Sequence, residues 1–201
     1  MYRLILVALV LCFISKPSFS QCDETAEPKV LLVGDSWAFF MNTDGTINTV
    51  LDKWGMSNYT FISNATIAIS GAQTDDFQKQ EPQDEIRAQL LANPTIKAVH
   101  LSIGGNDFLG DWNRTMTQGQ TDTLLDGVFV RLDSVIRFVE SCRPGIQVFW
   151  PGYTYTNFKE VITEFAFPTA HPFYSTWHSM GDPDFIEINN LQNYVSSKMD
   201  S

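Results

Sequence analysis

KVLLVGDSW (Lys29–Trp37) passes from a continuous apolar run into a turn that carries an acid, a hydroxyl and an indole. An unbroken aliphatic run bounded by Pro28 and Gly34 has the pattern of a strand buried on both faces, as in a parallel sheet covered by helices. Two more such transitions follow. Ser70-Gly71-Ala72 comes just after a β-branched and aromatic run between Asn58 and Ile69, and Gly104-Gly105-Asn106-Asp107 directly follows Ile96–Ile103. Gly71 lies 35 residues beyond Ser36, and Asn106 another 35 beyond Gly71. That interval suits one strand, one crossover helix and their turns. With parallel strands, all three turns emerge at the same carboxyl edge, where open α/β sheets place their ligands.

The elements between these turns follow the same alternation. Helices are expected at Ile47–Lys53, ended by Gly55, and at Asp84–Leu91, ended by Asn93-Pro94. The stretch after Ser36 reads as a helical turn followed by a loop. Leu125, Val128, Leu132, Val135, Ile136 and Val139 recur at helical spacing, which predicts an amphipathic helix over Leu124–Glu140. Arg143-Pro144-Gly145 stops it, and Ile146–Trp150 supplies a fourth strand closed by Pro151-Gly152. Beyond Tyr153 the rhythm loosens into an aromatic, proline-rich excursion over the carboxyl edge, with one helical stretch at Phe158–Phe165 and a helix at Phe185–Met199.

Length and charge narrow the function. With 201 residues the chain has room for one well-filled domain. Met1–Ser20, with Arg3, an apolar run from Leu4 to Ile14 and small residues at Ser18 and Ser20, reads as a secretory signal peptide, a retained amino-terminal anchor being the alternative. The expected mature domain is 21–201, secreted or periplasmic. Removing the signal leaves 11 basic residues against 23 acidic ones, a net charge of −12. This argues against nucleic acid and anionic membrane surfaces as partners. No later run is long and apolar enough for a transmembrane segment. Cys22 and Cys142 remain, both expected at the amino edge of the sheet; a disulfide and two thiols are both open.

Gly34-Asp35-Ser36-Trp37 resembles the first block of the SGNH (GDSL-type) hydrolase superfamily, with Trp37 where leucine is commonest. Gly71 matches the glycine of the second block, and Gly104-x-Asn106-Asp107 matches the third. The resemblance covers Lys29 to Tyr153. It implies a three-layer α/β/α, flavodoxin-like fold with a parallel sheet, and esterase or lipase chemistry that needs no metal or organic cofactor. Ser36 is then the nucleophile. The N–H groups of Ser36 and Gly71 and the side-chain amide of Asn106 form the oxyanion hole, and a small-molecule, carbohydrate or lipid ester is the substrate. A serine hydroxyl needs a base to take its proton as it attacks. The developing oxyanion needs donors already aimed at it, each worth on the order of 3 kcal/mol.

Each residue also has an ordinary reading. Serine is a frequent helix cap, Gly71 alone is a turn glycine, and Asn106 alone a loop residue. Their joint occurrence in order favours chemistry. Asp35 and Asp107 are expected to brace turns. The fourth block of the resemblance, Asp-x-x-His, is not found. His100 lies within a strand, and His171 and His178, with Asp182 and Asp184 within reach after folding, read as surface-loop residues. The expectation is therefore a chain lacking its last strand and that block, with the acid and base beyond Ser201 and little activity as it stands. Phe165, Phe167, Phe173, Tyr174 and Trp177 suit an acyl or sugar pocket, or core packing. Two other functions fit the pattern: a binding module that keeps the donors without turnover, and a flavodoxin-like nucleotide binder, against which the missing glycine-rich loop and Asp35 both count.

Overall fold

The computed structural model describes residues 27–152 and 157–199. The expected signal peptide, Cys22, Tyr153 and Thr154 lie outside the described residues. Four strands form one parallel sheet in the order β2-β1-β3-β4: β1 (Glu27–Gly34), β2 (Tyr59–Ile62), β3 (Ala98–Ser102) and β4 (Gln147–Phe149). This is the flavodoxin-like order over its first four strands. Leu31, Leu32 and Val33 of β1 are all buried, as the unbroken apolar run requires of a central strand.

Alternate side chains divide the sheet into two faces. Leu31, Val33, Val99 and Leu101 pack with Ile86 and Leu90 of α3 (Gln80–Ala92) and with Leu132, Val135 and Val139 of α5 (Gln118–Cys142). Burying each of these side chains contributes about 2 kcal/mol. Leu32 and Ala98, of opposite parity, are buried outside that cluster, as is Ala38 of α1 (Ser36–Thr43), which lies on the second face with α2 (Thr46–Lys53). Right-handed crossovers require this split, because the chain steps one way from β1 to β2 and the other way from β2 through β4.

Three elements depart from expectation for local reasons. The second strand pairs only over Tyr59–Ile62, because an Asn64 turn interrupts it: the Asn64 side chain accepts from the Thr66 N–H at 3.0 Å, and its carbonyl from the Ala68 N–H at 2.9 Å. The chain then rejoins the sheet through a single bridge between Ala68 and Gly34. Helix α5 begins six residues early, at Gln118, because Thr117 and Gln120 close a capping box ahead of the apolar stripe. Ser36 opens a full eight-residue helix, capped by the Asp35 carboxylate on the Trp37 N–H at 3.0 Å.

At the amino edge, Arg143 donates to the carbonyls of Leu90, Asn93 and Ile96, closing the carboxyl end of α3. Cys142 lies beside it, half-buried against the main core, at the edge where the sequence places it.

The remaining elements are α4 (Gly105–Asp111), α6 (Phe158–Thr163), α7 (Tyr174–Ser179) and α8 (Phe185–Met199). A second, smaller core of Trp112, Met180 and Ile188, joined by Phe108, Leu124 and Leu191, fixes this carboxyl segment to α4 and the start of α5. Backbone pairing of Arg114 N–H with the Met180 carbonyl at 3.0 Å and an Arg114–Glu187 ion pair at 2.7 Å reinforce it. None of the described helices is long and apolar enough to cross a membrane.

Candidate active site

Gly34 is the keystone of the carboxyl edge. Its N–H donates to the Ile67 carbonyl and its own carbonyl accepts from the Ile69 N–H, both at 2.8 Å, while the next residue's N–H donates to the Ser102 carbonyl at 2.8 Å. The first turn is thereby tied to the approaches of the other two. A Cβ on Gly34 would sit 2.1 Å from the Ser102 carbonyl oxygen, so no other residue fits between β1 and β3 here. Asp35 is buried below this junction, and the Ser102 hydroxyl approaches its carboxylate at 3.4 Å.

Ser36 is half-buried at the first position of α1, where the helix presents unpaired N–H groups and the positive end of its dipole. Neither the Ser36 hydroxyl nor its N–H is engaged by any of the described residues. Gly71 has a left-handed φ of +82°, the conformation that selects glycine in this turn. Its N–H likewise has no acceptor among the described residues, and the space a Cβ would enter is open.

The second and third turns are stitched together. Asn106 Nδ2 donates to the Ala72 carbonyl at 2.9 Å, which uses one of its two N–H groups. Gln73 Nε2 donates back to the Asn106 carbonyl at 3.1 Å. Asp107, 2% exposed, accepts from the Thr74 N–H at 3.0 Å, the Thr74 hydroxyl at 2.6 Å and Arg131 Nη2 at 2.9 Å. Arg131 Nε donates to the Thr74 hydroxyl at 2.7 Å, closing the ring. Asp107 therefore does more than brace its own turn: it reaches across to the neighbouring one.

Among residues that the sequence did not single out, Gln73, Thr74 and Arg131 are the most engaged here. A lone arginine between Val128 and Leu132 reads as the solvated side of an amphipathic helix. Nothing in its neighbours along the chain distinguishes it.

Beside Gly71 a shallow groove of about 280 Å³ opens, lined by Ile69, Ser70, Ala72, Asp76 and Lys79 among others; neither Ser36 nor Asn106 lines it. Burial pushes the Asp76 carboxyl up, but hydrogen bonds from Lys79 and the Gln73 N–H outweigh this and hold it below the ordinary carboxylate value.

The histidines divide as follows. His100 is half-buried on β3, its Nδ1 without a partner among the described residues, and burial lowers its pKa. His171 Nδ1 takes the Phe173 N–H at 3.2 Å, and its ring packs between Phe165 and Phe173. His178 is exposed, stacks on Tyr174 and pairs with Asp182 at 2.9 Å; Asp182 is thus the acid that reaches a histidine, while Asp184 caps α8. None of the three is hydrogen-bonded to Ser36. Trp177 Nε1 donates to the Pro183 carbonyl at 2.9 Å, while Phe167 and Phe173 stand exposed. The described residues hold no cluster of three or more metal-ligating side chains.

No family model and no curated protein matches this chain. Among solved structures it is similar to an acetyl xylan esterase, at 18% identity and a TM-score of 0.47 over 86% of this chain and 72% of that one. A GDSL-like lipase from Bacteroides thetaiotaomicron aligns at 15% identity and a TM-score of 0.38, over 90% and 70% of the two chains. A putative acylhydrolase from Bacteroides fragilis aligns at 16% identity and 0.36, over 90% and 69%.

Proposed function

We propose that this chain is a secreted ester hydrolase of the SGNH (GDSL) type that works through an acyl-enzyme on Ser36. One observation carries the reading: at one sheet edge, an unengaged serine hydroxyl accompanies two backbone N–H groups without acceptors and an asparagine amide with one N–H to spare. In this reading Ser36 Oγ bonds to the ester carbonyl carbon and gives up its proton to a base. The carbonyl oxygen becomes an anion held by the N–H groups of Ser36 and Gly71 and by Asn106 Nδ2. Collapse expels the alcohol with a proton, and water then releases the acid and restores Ser36. No metal or organic cofactor enters this sequence, and the substrate is a small carboxylic ester.

A fluorophosphonate probe on the full-length mature protein tests the nucleophile directly. The protein is expected to be labelled and the Ser36→Ala variant unlabelled. His171→Ala and His178→Ala are expected to keep full labelling, in line with their surface contacts; loss in either would identify it as the base. A folded protein with its histidine block present that resists the probe entirely would remove the hydrolase reading and leave a module that binds an anion or ester without turnover.

A further inference from the structure

Four side chains, Gln73, Thr74, Asp107 and Arg131, bond across the gap between the turns that carry the proposed donors. The Asn106 amide and the Gly71 N–H belong to different turns, so their separation depends on how residues 71–74 are held against residues 106–107. Asn106 alone makes one bond across this gap, to the Ala72 carbonyl at 2.9 Å. The rest of the registration comes from the ring of Asp107, Thr74 and Arg131, and from Gln73 on the Asn106 carbonyl.

Arg131 is the only member supplied from outside the two turns, by helix α5. Its guanidinium bonds to both at once, with Nε on Thr74 and Nη2 on Asp107. The two helices that border this arrangement each carry a glycine where a binding side chain lies against them. A Cβ at Gly127 of α5 would stand 3.3 Å from Arg131 Nη1, and a Cβ at Gly110 of α4 would stand 2.8 Å from Gln73 Nε2.

We infer that Arg131 is a positioning residue: through Thr74 and Asp107 it holds the Gly71 turn and the Asn106 turn in one fixed geometry, so that their donors converge on a single oxygen. The inference deepens the hydrolase reading and rests on it for its catalytic meaning, but the geometry itself can be measured without turnover. A donor displaced by a fraction of an ångström stabilises the transition state less while leaving ground-state binding nearly intact. Lysine, a single point donor, cannot bond to Thr74 and Asp107 in the forked manner of a guanidinium.

The test compares the protein with Arg131→Met, Arg131→Lys and Thr74→Val by amide NMR and by hydrolysis of p-nitrophenyl acetate. The Gly71 backbone and Asn106 side-chain amide signals are expected to shift or broaden in Arg131→Met and Thr74→Val, with those of α3 and β1 unmoved. Arg131→Lys should restore them only in part. Alongside, kcat should fall by about ten- to a hundredfold with KM within about twofold. Gly127→Ala provides a variant that favours the helix and yet crowds Arg131, and its Asn106 signal should move without loss of thermal stability.

Signals that stay in place in Arg131→Met and Thr74→Val overturn the inference, whatever Ser36 does. Variants that only melt earlier, with unchanged kcat, also overturn it. Moved signals in a protein that, with its histidine block present, neither hydrolyses the ester nor takes the fluorophosphonate uphold the positioning role and reject the hydrolase reading instead.

Discussion

Of the aspartates that face a basic partner, Asp107 and Asp182 do so in very different surroundings. Asp107 is sealed between two turns and a helix, 2% exposed, and receives three donors besides any charge attraction. Asp182 stands on the surface with 44% of its side chain exposed, and touches His178, itself 64% exposed. The lesson is that an ion pair's weight depends on what is left behind when it breaks. Removing a partner from a buried carboxylate leaves it short of donors where water cannot substitute, whereas an exposed carboxylate simply rehydrates.

The largest expected effect follows from that difference. Arg131→Met should lower the unfolding free energy by about 2 kcal/mol, below the usual range for a fully buried pair because the guanidinium is 31% exposed. Urea denaturation measures it. A loss under about 0.5 kcal/mol would put Asp107 in the same class as Asp182 and dissolve the contrast. Thr74→Val is next. It removes the hydroxyl that both accepts from Arg131 and donates to Asp107 while keeping the shape, and should cost about 1 to 2 kcal/mol. In a double-mutant cycle the two changes should fall short of additivity, since each disables the same ring.

This contrast also separates what was legible in the sequence from what was not. The sheet could be read because its strands obey a local rule: Leu31, Leu32 and Val33 are buried on both faces, and the run shows it. The three turns could be read because each ends such a run. Ser36, Gly71 and Asn106 were singled out in this way as candidates, and the structure puts all three turns at the carboxyl edge through the Gly34–Ala68 bridge and the Asn106–Ala72 bond. Thr74 and Arg131 could not be read. Their roles depend on Asp107, 33 and 24 residues away, and no periodicity encodes a hydrogen bond across layers. The Asn64 turn that cuts the second strand short was missed because Ile67 and Ile69 continue the apolar pattern beyond it, where the chain meets β1 again at Gly34. Asp182 drew notice only as an acid within reach of a histidine. Its partner, His178, is brought to it by the turn that ends α7, where the Asp182 N–H bonds to the Trp177 carbonyl.

His100 sharpens the comparison from another side, as a titratable group that is buried without the donors Asp107 enjoys. Burial lowers its pKa from the ordinary 6.5, so the folded protein resists protonation more than the unfolded chain does. Above pH 6.5 both states hold it neutral and it contributes no pH dependence. As the pH falls below 6.5 the unfolded chain takes up a proton first, and stability is lost progressively down to the lower folded value. The urea midpoint should therefore drop between pH 7 and pH 5, and His100→Leu should flatten that slope. Asp76 and Asp122, whose pKa values are lowered from 3.8, lose their contributions only at more acidic pH and do not confuse the window. An unchanged slope in His100→Leu would mean that the strand histidine is protonated in place.

The smallest effect belongs to the exposed pair, and here backbone should outweigh charge. Asp182 is the only non-glycine with positive φ among the described residues, at +55°, immediately after Gly181 at +86°. A left-handed residue with a Cβ costs roughly 1 kcal/mol, less for aspartate and asparagine, whose short polar side chains bond locally. Asp182→Asn should thus be nearly neutral even though it removes the charge facing His178. Asp182→Gly, which removes the pair altogether, should be neutral or slightly stabilising, because relief of the backbone offsets a surface contact worth about 0.5 kcal/mol or less. Asp182→Ala loses the contact and keeps the strain, and should be the least stable of the three, by about 1 kcal/mol relative to Asp182→Gly. If Asp182→Gly proved as damaging as Asp182→Ala, the ion pair rather than the backbone would be setting the energy at this site. The surface carboxylate would then resemble the buried one after all.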